Sequence, residues 1–516
     1  MMGKKVLAAK SGRAACSCAA AGGGIAAKNA KGAKSFLTGL TGFTGLREES
    51  VKPAKTKPSG VAWIGDIPDG WKMMVGKHVY TVQAGAPFDS TKFSNVSGFP
   101  LVRIRDITSG KSETYYTGDY EAKDVVHDGD LLVGMDGDFH VRWWQGGEAL
   151  LNQRCCKIQP MDVITSRFAY YFLPFALADI NAIAYATTVK HLSNWDLENV
   201  RIPLPPLPVQ RAIAAYLDEK CGAIDEAIVE AKKGIEEYKA WKKSLIFEVV
   251  TGKRRVGFFN AESKCARDEV VGLPERSEPE GLQGAARRRV AEKMKPSGVP
   301  WIGDVPEGWE VMKLRRLGIF ANGISKGGEF FGKGSPFVSY SDVYKNEALP
   351  TVVKGRLHST PEEQEKYSVK KGDVFFTRTS ETIDEIGFAS TCMENISQAT
   401  FAGFLIRFRP TGSEILPSFS KYYFRNKLVS EYFAKELVMV TRASLGQELL
   451  KSLPVMLPPI PEQRAIACYL DEKCASIDAM IAEKEALIAD LEAYKKSLIY
   501  ETVTGKREVR VGGYCD

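Results

Sequence analysis

Four aspartates, Asp128, Asp130, Asp136 and Asp138, fall within the run DGDLLVGMDGD. Carboxylates at that density could hold a divalent cation through oxygen ligands. The spacing is not that of an EF-hand loop, and the run continues as FHVRWW without a closing Glu. A solvated loop accounts for the same residues. The matching stretch of the second half, KGDVFFTRTS from Lys371 to Ser380, carries Thr377, Arg378 and Thr379 instead. A metal site shared by two related halves would need its ligands twice, so no metal is expected. The five histidines, His78, His127, His140, His191 and His358, form no spacing-based cluster and are expected at the surface or in packing. Among the ten cysteines, Cys155 and Cys156 are adjacent and the rest are scattered, with no C-x-x-C pair. That pattern argues against zinc and for reduced thiols.

Other catalytic signatures are missing as well. The one Gly-Lys-Ser, at Gly110 to Ser112, has Arg105 where a phosphate-binding loop needs its first glycine. No H-E-x-x-H, G-x-S-x-G or Asn/Asp-Pro-Pro-aromatic string occurs. No catalytic residue and no cofactor are therefore expected.

The elements that would position any site come in two copies. LPPLPVQRAIAAYLDEKCGAID, Leu204 to Asp225, returns as LPPIPEQRAIACYLDEKCASID, Leu457 to Asp478, with five differences. KPSGVAWIGDIPDGW, Lys57 to Trp71, returns as KPSGVPWIGDVPEGW, Lys295 to Trp309. The offsets are 253 and 238 residues, too long for a solenoid period of roughly 20 to 50. Each half opens on a Trp/Pro/Gly segment, passes through a divergent region and closes on a near-identical one.

The closing segment predicts a long helix. Pro205-Pro206 and Pro458-Pro459 end a strand, and Pro208 and Pro461 suit a first helical turn. Leu217, Cys221, Ile224, Ile228, Ala231, Ile235, Tyr238, Leu245 and Val249 follow steps of three and four up to Gly252, broken by Lys242. Leu470, Cys474, Ile477, Ile481, Ile488, Leu491 and Leu498 repeat the stripe up to Gly505, broken by Lys484 and Lys495. From Pro208 to Thr251 such a helix is about 65 Å long. Its apolar stripe can be buried by its own copy, as an antiparallel pair, or each helix can pack on its own domain. The antiparallel pair is expected, with Ile228 and Ile481 in one shared seam.

The divergent regions read as mixed α/β. PLVRIRDI (Pro100 to Ile107) and SPFVSYSDV (Ser335 to Val343) read as strands, and SRFAYYFL and SFSKYYFRN as aromatic helices. The expected organisation is a disordered basic tail over 1–57, a first domain over 58–203 and a first spacer helix over 204–253. A linker over 254–294, a second domain over 295–456, a second spacer helix over 457–507 and a tail over 508–516 follow. The tail also admits a targeting signal, but Lys10 and Arg13 interrupt its apolar stretch. Residues 1–57 hold 11 Lys/Arg and 2 Asp/Glu, so the remaining chain is slightly acidic despite the net charge of +7. Any nucleic-acid surface must be local. No apolar run approaches the ~18 residues of a membrane helix, and the thiols suit a cytoplasmic setting.

The Pro-Pro-x-Pro-x-Gln-Arg string, the long helix ending KKSLIxExVTGKR and the W-I-G-x-x-P-x-G-W opener together resemble one family over about Pro58 to Arg507. That family is the DNA-specificity (S) subunit of type I restriction–modification systems. GDLLVGMDG and ALLNQRCCKI of the first half are similar to its target-recognition sequences. The resemblance implies an α+β fold: two α/β target-recognition domains separated by two long helices packed as an antiparallel coiled coil, with a pseudo-two-fold internal duplication. It implies a non-catalytic reader of a bipartite, asymmetric double-stranded DNA site. Its partners would be two methyltransferase (M) subunits and restriction/translocase (R) subunits, with no membrane.

DNA half-sites lie a fixed distance apart along a duplex, so two readers need a rigid separator. Lys72 to Arg201 holds 13 basic and 15 acidic residues, and Glu310 to Lys451 holds 20 and 16. Neither region is basic overall, so contacts must come from placed residues. The candidates are Arg103, Arg105, Arg154 and Lys190 in the first domain, and Lys326, Arg378 and Arg442 in the second. Each could equally serve as a surface charge. Two other classes remain open: a stand-alone nuclease or methyltransferase with an unrecognised active site, and a coiled-coil scaffold that never touches DNA.

Overall fold

The computed structural model describes residues 55–183, 191–256, 293–380, 386–436 and 443–509. Contacts within the chain divide it into two compact units, Met1–Lys233 with Lys484–Asp516, and Gly234–Glu483. Both are built alike.

In the first unit a four-stranded antiparallel sheet runs in the order Val141–Trp143, Leu131–Gly134, Cys155–Pro160, Tyr80–Ala84. In the second the order is Ala389–Thr391, Val374–Thr377, Leu405–Pro410, Gly318–Asn322. The apolar strands after each Gly-Asp turn are covered on both faces. Leu131 and Val133 point into one core with Ile158 and Phe168, while Leu132 points into another with Val102 and Trp144. Val374 and Phe376 likewise separate from Phe375. Side chains alternate along a strand, so a strand without polar positions needs two cores. The turns that launch these strands match: Gly129 and Gly372 take φ of 92° and 91°, and the Asp130 and Asp373 carboxylates accept from His127 N and Lys370 N, both at 2.8 Å.

The runs PLVRIRDI and SPFVSYSDV are only half strand. Phe99–Val102 gives way to a helix over Ile104–Ser109, and Phe331–Val338 to one over Tyr340–Lys345. An acidic residue at the third helical position caps the start of each helix. The Asp106 carboxylate accepts from Arg103 N (2.9 Å), and that of Asp342 from Ser339 N (2.8 Å). The aromatic segments are helical: Ser166–Ile183 in the first unit, and Pro417–Tyr423 followed by Lys427–Glu436 in the second.

The long helices span Leu207–Val250 and Ile460–Val503. The repeated Gln of their opening motif is a clip. Gln210, fully buried, donates to Val163 O (2.9 Å) and Pro205 O (2.8 Å) and accepts from Thr165 N (2.9 Å). Gln463 donates to Glu414 O (2.7 Å) and Pro458 O (2.9 Å) and accepts from Leu416 N (2.9 Å). Two turns on, Asp218 accepts from the Tyr171 hydroxyl (2.6 Å) and Asp471 from that of Tyr422 (2.5 Å). The helix starts are thus bolted to the aromatic helices of their own domains.

The helices are antiparallel partners. In the first unit the start of the first helix, Leu217, Cys221, Ile224 and Ile228, shares a core with the end of the second, Leu491, Tyr494 and Leu498. In the second unit Leu470, Cys474 and Ile477 share a core with Leu245 and Val249. Ile228 lies in the first of these cores, whereas Ile481 packs against the second. The expected shared seam is therefore two seams, because antiparallel partners meet start against end. Two of the lysines that break the apolar stripe, Lys242 and Lys495, face across it. Lys495 Nζ lies 2.6 Å from Asp225 and Lys242 Nζ 2.8 Å from Asp478. Burial disfavours the charge on Lys242, but its hydrogen bond to Asp478 and nearby carboxylates still hold its pKa above the ordinary range.

The opener is the socket for a helix end. Gly252 turns left-handed at φ 73°, and Gly505 at 72°, as helix-ending glycines do. A Cβ at Gly252 would lie 2.7 Å from Pro306 Cγ and 3.3 Å from the Trp309 ring. Gly505 faces Pro68 and Trp71 in the same way. The Tyr500 hydroxyl donates to Trp63 O (2.6 Å). Each opener therefore receives the helix that the other half of the sequence encodes, which explains why both strings occur twice. Among the described residues no helix is long and apolar enough to cross a membrane.

Candidate nucleic-acid interface

At one end of the first unit's sheet, four backbone hydrogen bonds tie five chain segments together. Asn152 N donates to Val102 O (3.1 Å), Gln153 N to Ala86 O (2.9 Å), Met135 N to Arg154 O (2.9 Å) and Leu192 N to Met135 O (2.7 Å). Arg103 directly follows Val102, and Arg154 lies two residues beyond Asn152, so both stand near that first bond. The aspartate-rich run does not converge. Asp128 accepts from Gly147 N (2.8 Å), Asp130 pairs with Lys157 (2.9 Å), and Asp136 takes Arg154 (3.1 Å) and His191 Nδ1 (2.7 Å). Among the described residues no three His, Cys, Asp or Glu side chains gather to hold a metal ion. The Asp136 loop is held by Phe139, which is buried although its φ is 50°, a left-handed conformation unusual for a bulky residue. Arg154 is 56% exposed, so its guanidinium is oriented from one side and open on the other. Arg105, also exposed, donates to Thr114 Oγ1 (2.8 Å). The Arg103 guanidinium stacks over Phe93 at 5.7 Å from the ring centroid.

The second unit repeats the frame with other side chains. Ala402 N donates to Val338 O (3.0 Å), Gly403 N to Ile324 O (2.8 Å), Arg378 N to Phe404 O (2.9 Å) and Leu445 N to Arg378 O (2.7 Å). Bond for bond, Phe404 stands where Arg154 stands, and Arg378 where Met135 stands. The half-buried Arg378 guanidinium has no hydrogen-bond or ion-pair partner among the described residues. Phe404 is 64% exposed. Lys326 is committed elsewhere: its side chain is 16% exposed, and its ammonium donates to His358 O (3.0 Å) and lies 2.6 Å from Glu363. That ammonium, with the Thr360 backbone N–H, holds the Glu363 carboxyl below its usual range. Lys190 and Arg442 lie outside the described residues. Sequence reasoning missed Phe404, Asp136 and His191. The equivalence of Arg154 and Phe404 has an offset of 250, which neither repeat offset reveals.

Residues 68–233 and 306–489 match the family described as type I restriction modification DNA specificity domain. The chain belongs to that family. Among curated relatives it is 26% identical to the type I restriction enzyme EcoBI specificity subunit of Escherichia coli, over 85% of this chain and 87% of that one. It is 23% identical to the MjaVIII specificity subunit of Methanocaldococcus jannaschii, over 75% and 81% respectively. A solved chain from work on complex assembly and conformational transition of the type I R-M system superposes with a TM-score of 0.58 at 17% identity. It covers 85% of this chain and 98% of that one. The likeness supports the α+β fold with its internal duplication.

Proposed function

We propose that the chain is the non-catalytic DNA-reading subunit of a type I restriction–modification complex. Residues 58–203 and 295–456 are the two target-recognition domains, each reading one part of a bipartite, asymmetric site in double-stranded DNA. Residues 204–253 and 457–507 are the spacer helices, on which two methyltransferase subunits dock and which restriction/translocase subunits join. The linker over 254–294 and the two tails carry no assigned role, and the complex works in the cytoplasm. Arg103, Arg105, Arg154, Lys190, Lys326, Arg378 and Arg442 are the candidate DNA contacts. Arg154 and Arg378 are favoured because their backbones belong to the loop ends and Arg154 is 56% exposed, whereas Lys326 would first have to leave Glu363.

The observation that carries this reading is one backbone frame built twice with unlike exposed side chains, Arg154 against Phe404. Two readers of two unlike sequences need that combination. The buried thiols suit a non-catalytic part: burial pushes Cys221 and Cys474 up to about 11 and Cys155 and Cys156 up to about 12, so they stay protonated at neutral pH. The purified chain, given plasmid, Mg²⁺, ATP and S-adenosylmethionine, is expected to leave the DNA unchanged. With its methyltransferase subunits it is expected to direct methylation to one split site. Turnover by the chain alone, or no site-specific methylation by the complex, overturns the proposal.

A further inference from the structure

Arg154 and Phe404 each directly precede an inner strand of their sheet, Cys155–Pro160 or Leu405–Pro410. Each carbonyl accepts one loop N–H at 2.9 Å, from Met135 or Arg378. The side chains are 56% and 64% exposed. At 64% exposure Phe404 has most of its surface outside any core, so core packing does not explain it. Its ring offers no hydrogen bond, so at a base edge in the groove of a duplex it can discriminate only by contact with an apolar group. In the major groove that group is the thymine methyl. Its neighbour Arg378 supplies the donors that the ring lacks. Arg154 is the converse: a guanidinium braced by Asp136 at 3.1 Å, with Asp136 itself bound to His191 at 2.7 Å. A braced, outward guanidinium suits the two acceptors on the guanine edge.

We propose that residues 154 and 404 are one base-reading position occurring twice, Arg154 taking guanine in one half-site and Phe404 the methyl of thymine in the other. This rests on the DNA-reading role proposed above and adds to it which residue reads which base.

The test uses the full chain with its methyltransferase subunits and selects bound duplexes from a randomised library. Wild-type complex is expected to select a split site. Phe404→Ala is expected to lower the preference at one thymine of one half-site by about tenfold, leaving the other half-site and the gap unchanged. Arg154→Ala is expected to do the same at one guanine of the other half-site. Phe404→Leu, still apolar, is expected to keep the thymine preference. Replacing that thymine by uracil, which removes only the methyl, is expected to weaken wild-type binding and leave Phe404→Ala binding unaffected. The proposal is overturned if Phe404→Ala selects the wild-type site, if both variants relax the same half-site, or if uracil binds as thymine does. A wild-type complex that selects no sequence overturns the DNA-reading role itself. A wild-type site with unaffected variants overturns only the assignment of residues.

Discussion

Asp136 illustrates how a residue can be legible in composition and illegible in role. In the sequence it is one of four clustered carboxylates and reads as part of a solvated loop. In the fold it is the common partner of Arg154 and His191. Asp136→Asn removes the charge that orients the guanidinium but keeps the size of the side chain. The ion pair is partly exposed, 56% at Arg154 and 28% at Asp136, so the cost in stability should be under about 1 kcal/mol. The loss should fall on reading: library selection with this variant should relax the same base position as Arg154→Ala, less severely. If the selected site and its strength match wild type, Asp136 does not position Arg154. Arg103, Arg105 and Arg154 could be nominated from the sequence because an arginine beside a strand end is a donor wherever it points. Phe404 could not, because an aromatic in FAGFLIRF reads as core until its exposure is known.

At the scale of elements, the two long helices were readable to within a residue or two, since a stripe of apolar residues bounded by Pro and Gly states its own length. The stripe does not name its partner. The partner is given by Lys242 and Lys495, which look like defects in the sequence and are cross-helix contacts to Asp478 and Asp225 in the fold. A polar pair in an apolar seam penalises any register that leaves it unpaired, a device known from coiled coils. Lys242→Asp should place two like charges together and lower the melting temperature. Adding Asp478→Lys should restore most of the loss. Since Asp478 is 55% exposed, the pair itself contributes about 1 kcal/mol or less. A double variant that melts no higher than the single one would show that the pair does not set the register. The strand-to-helix switches after Val102 and Val338 were missed for a different reason. β-branched and aromatic residues continue through them, and the break is marked by small polar signals, the acceptance of the Arg103 and Ser339 N–H groups by Asp106 and Asp342.

For the whole molecule, both long helices run without a break across the residues where one compact unit gives way to the other, 233/234 and 483/484. On the proposed function, helix length then sets the gap between the two half-sites. The points midway between the two residues of each helix that pair across to the other, Asp225 and Lys242 or Asp478 and Lys495, fall after Lys233 and after Ala486. Four residues inserted at one point add about 6 Å and advance the helix by slightly more than one turn, so the apolar stripe stays nearly in phase. An insertion in one helix alone shifts its end against a partner that has not moved. It should uncouple either Lys242 from Asp478 or Lys495 from Asp225 and weaken methylation. Insertions in both helices lengthen the pair together and should restore it. At ~3.4 Å per base pair, the methylated site should keep both halves unchanged while its gap grows by one or two base pairs. Methylome sequencing of the single- and double-insertion strains reads both effects. Methylation that persists in the double insertion at the original gap would mean that the spacing is set by the methyltransferase subunits or the linker, and that the helices hold the halves together without measuring the DNA between them.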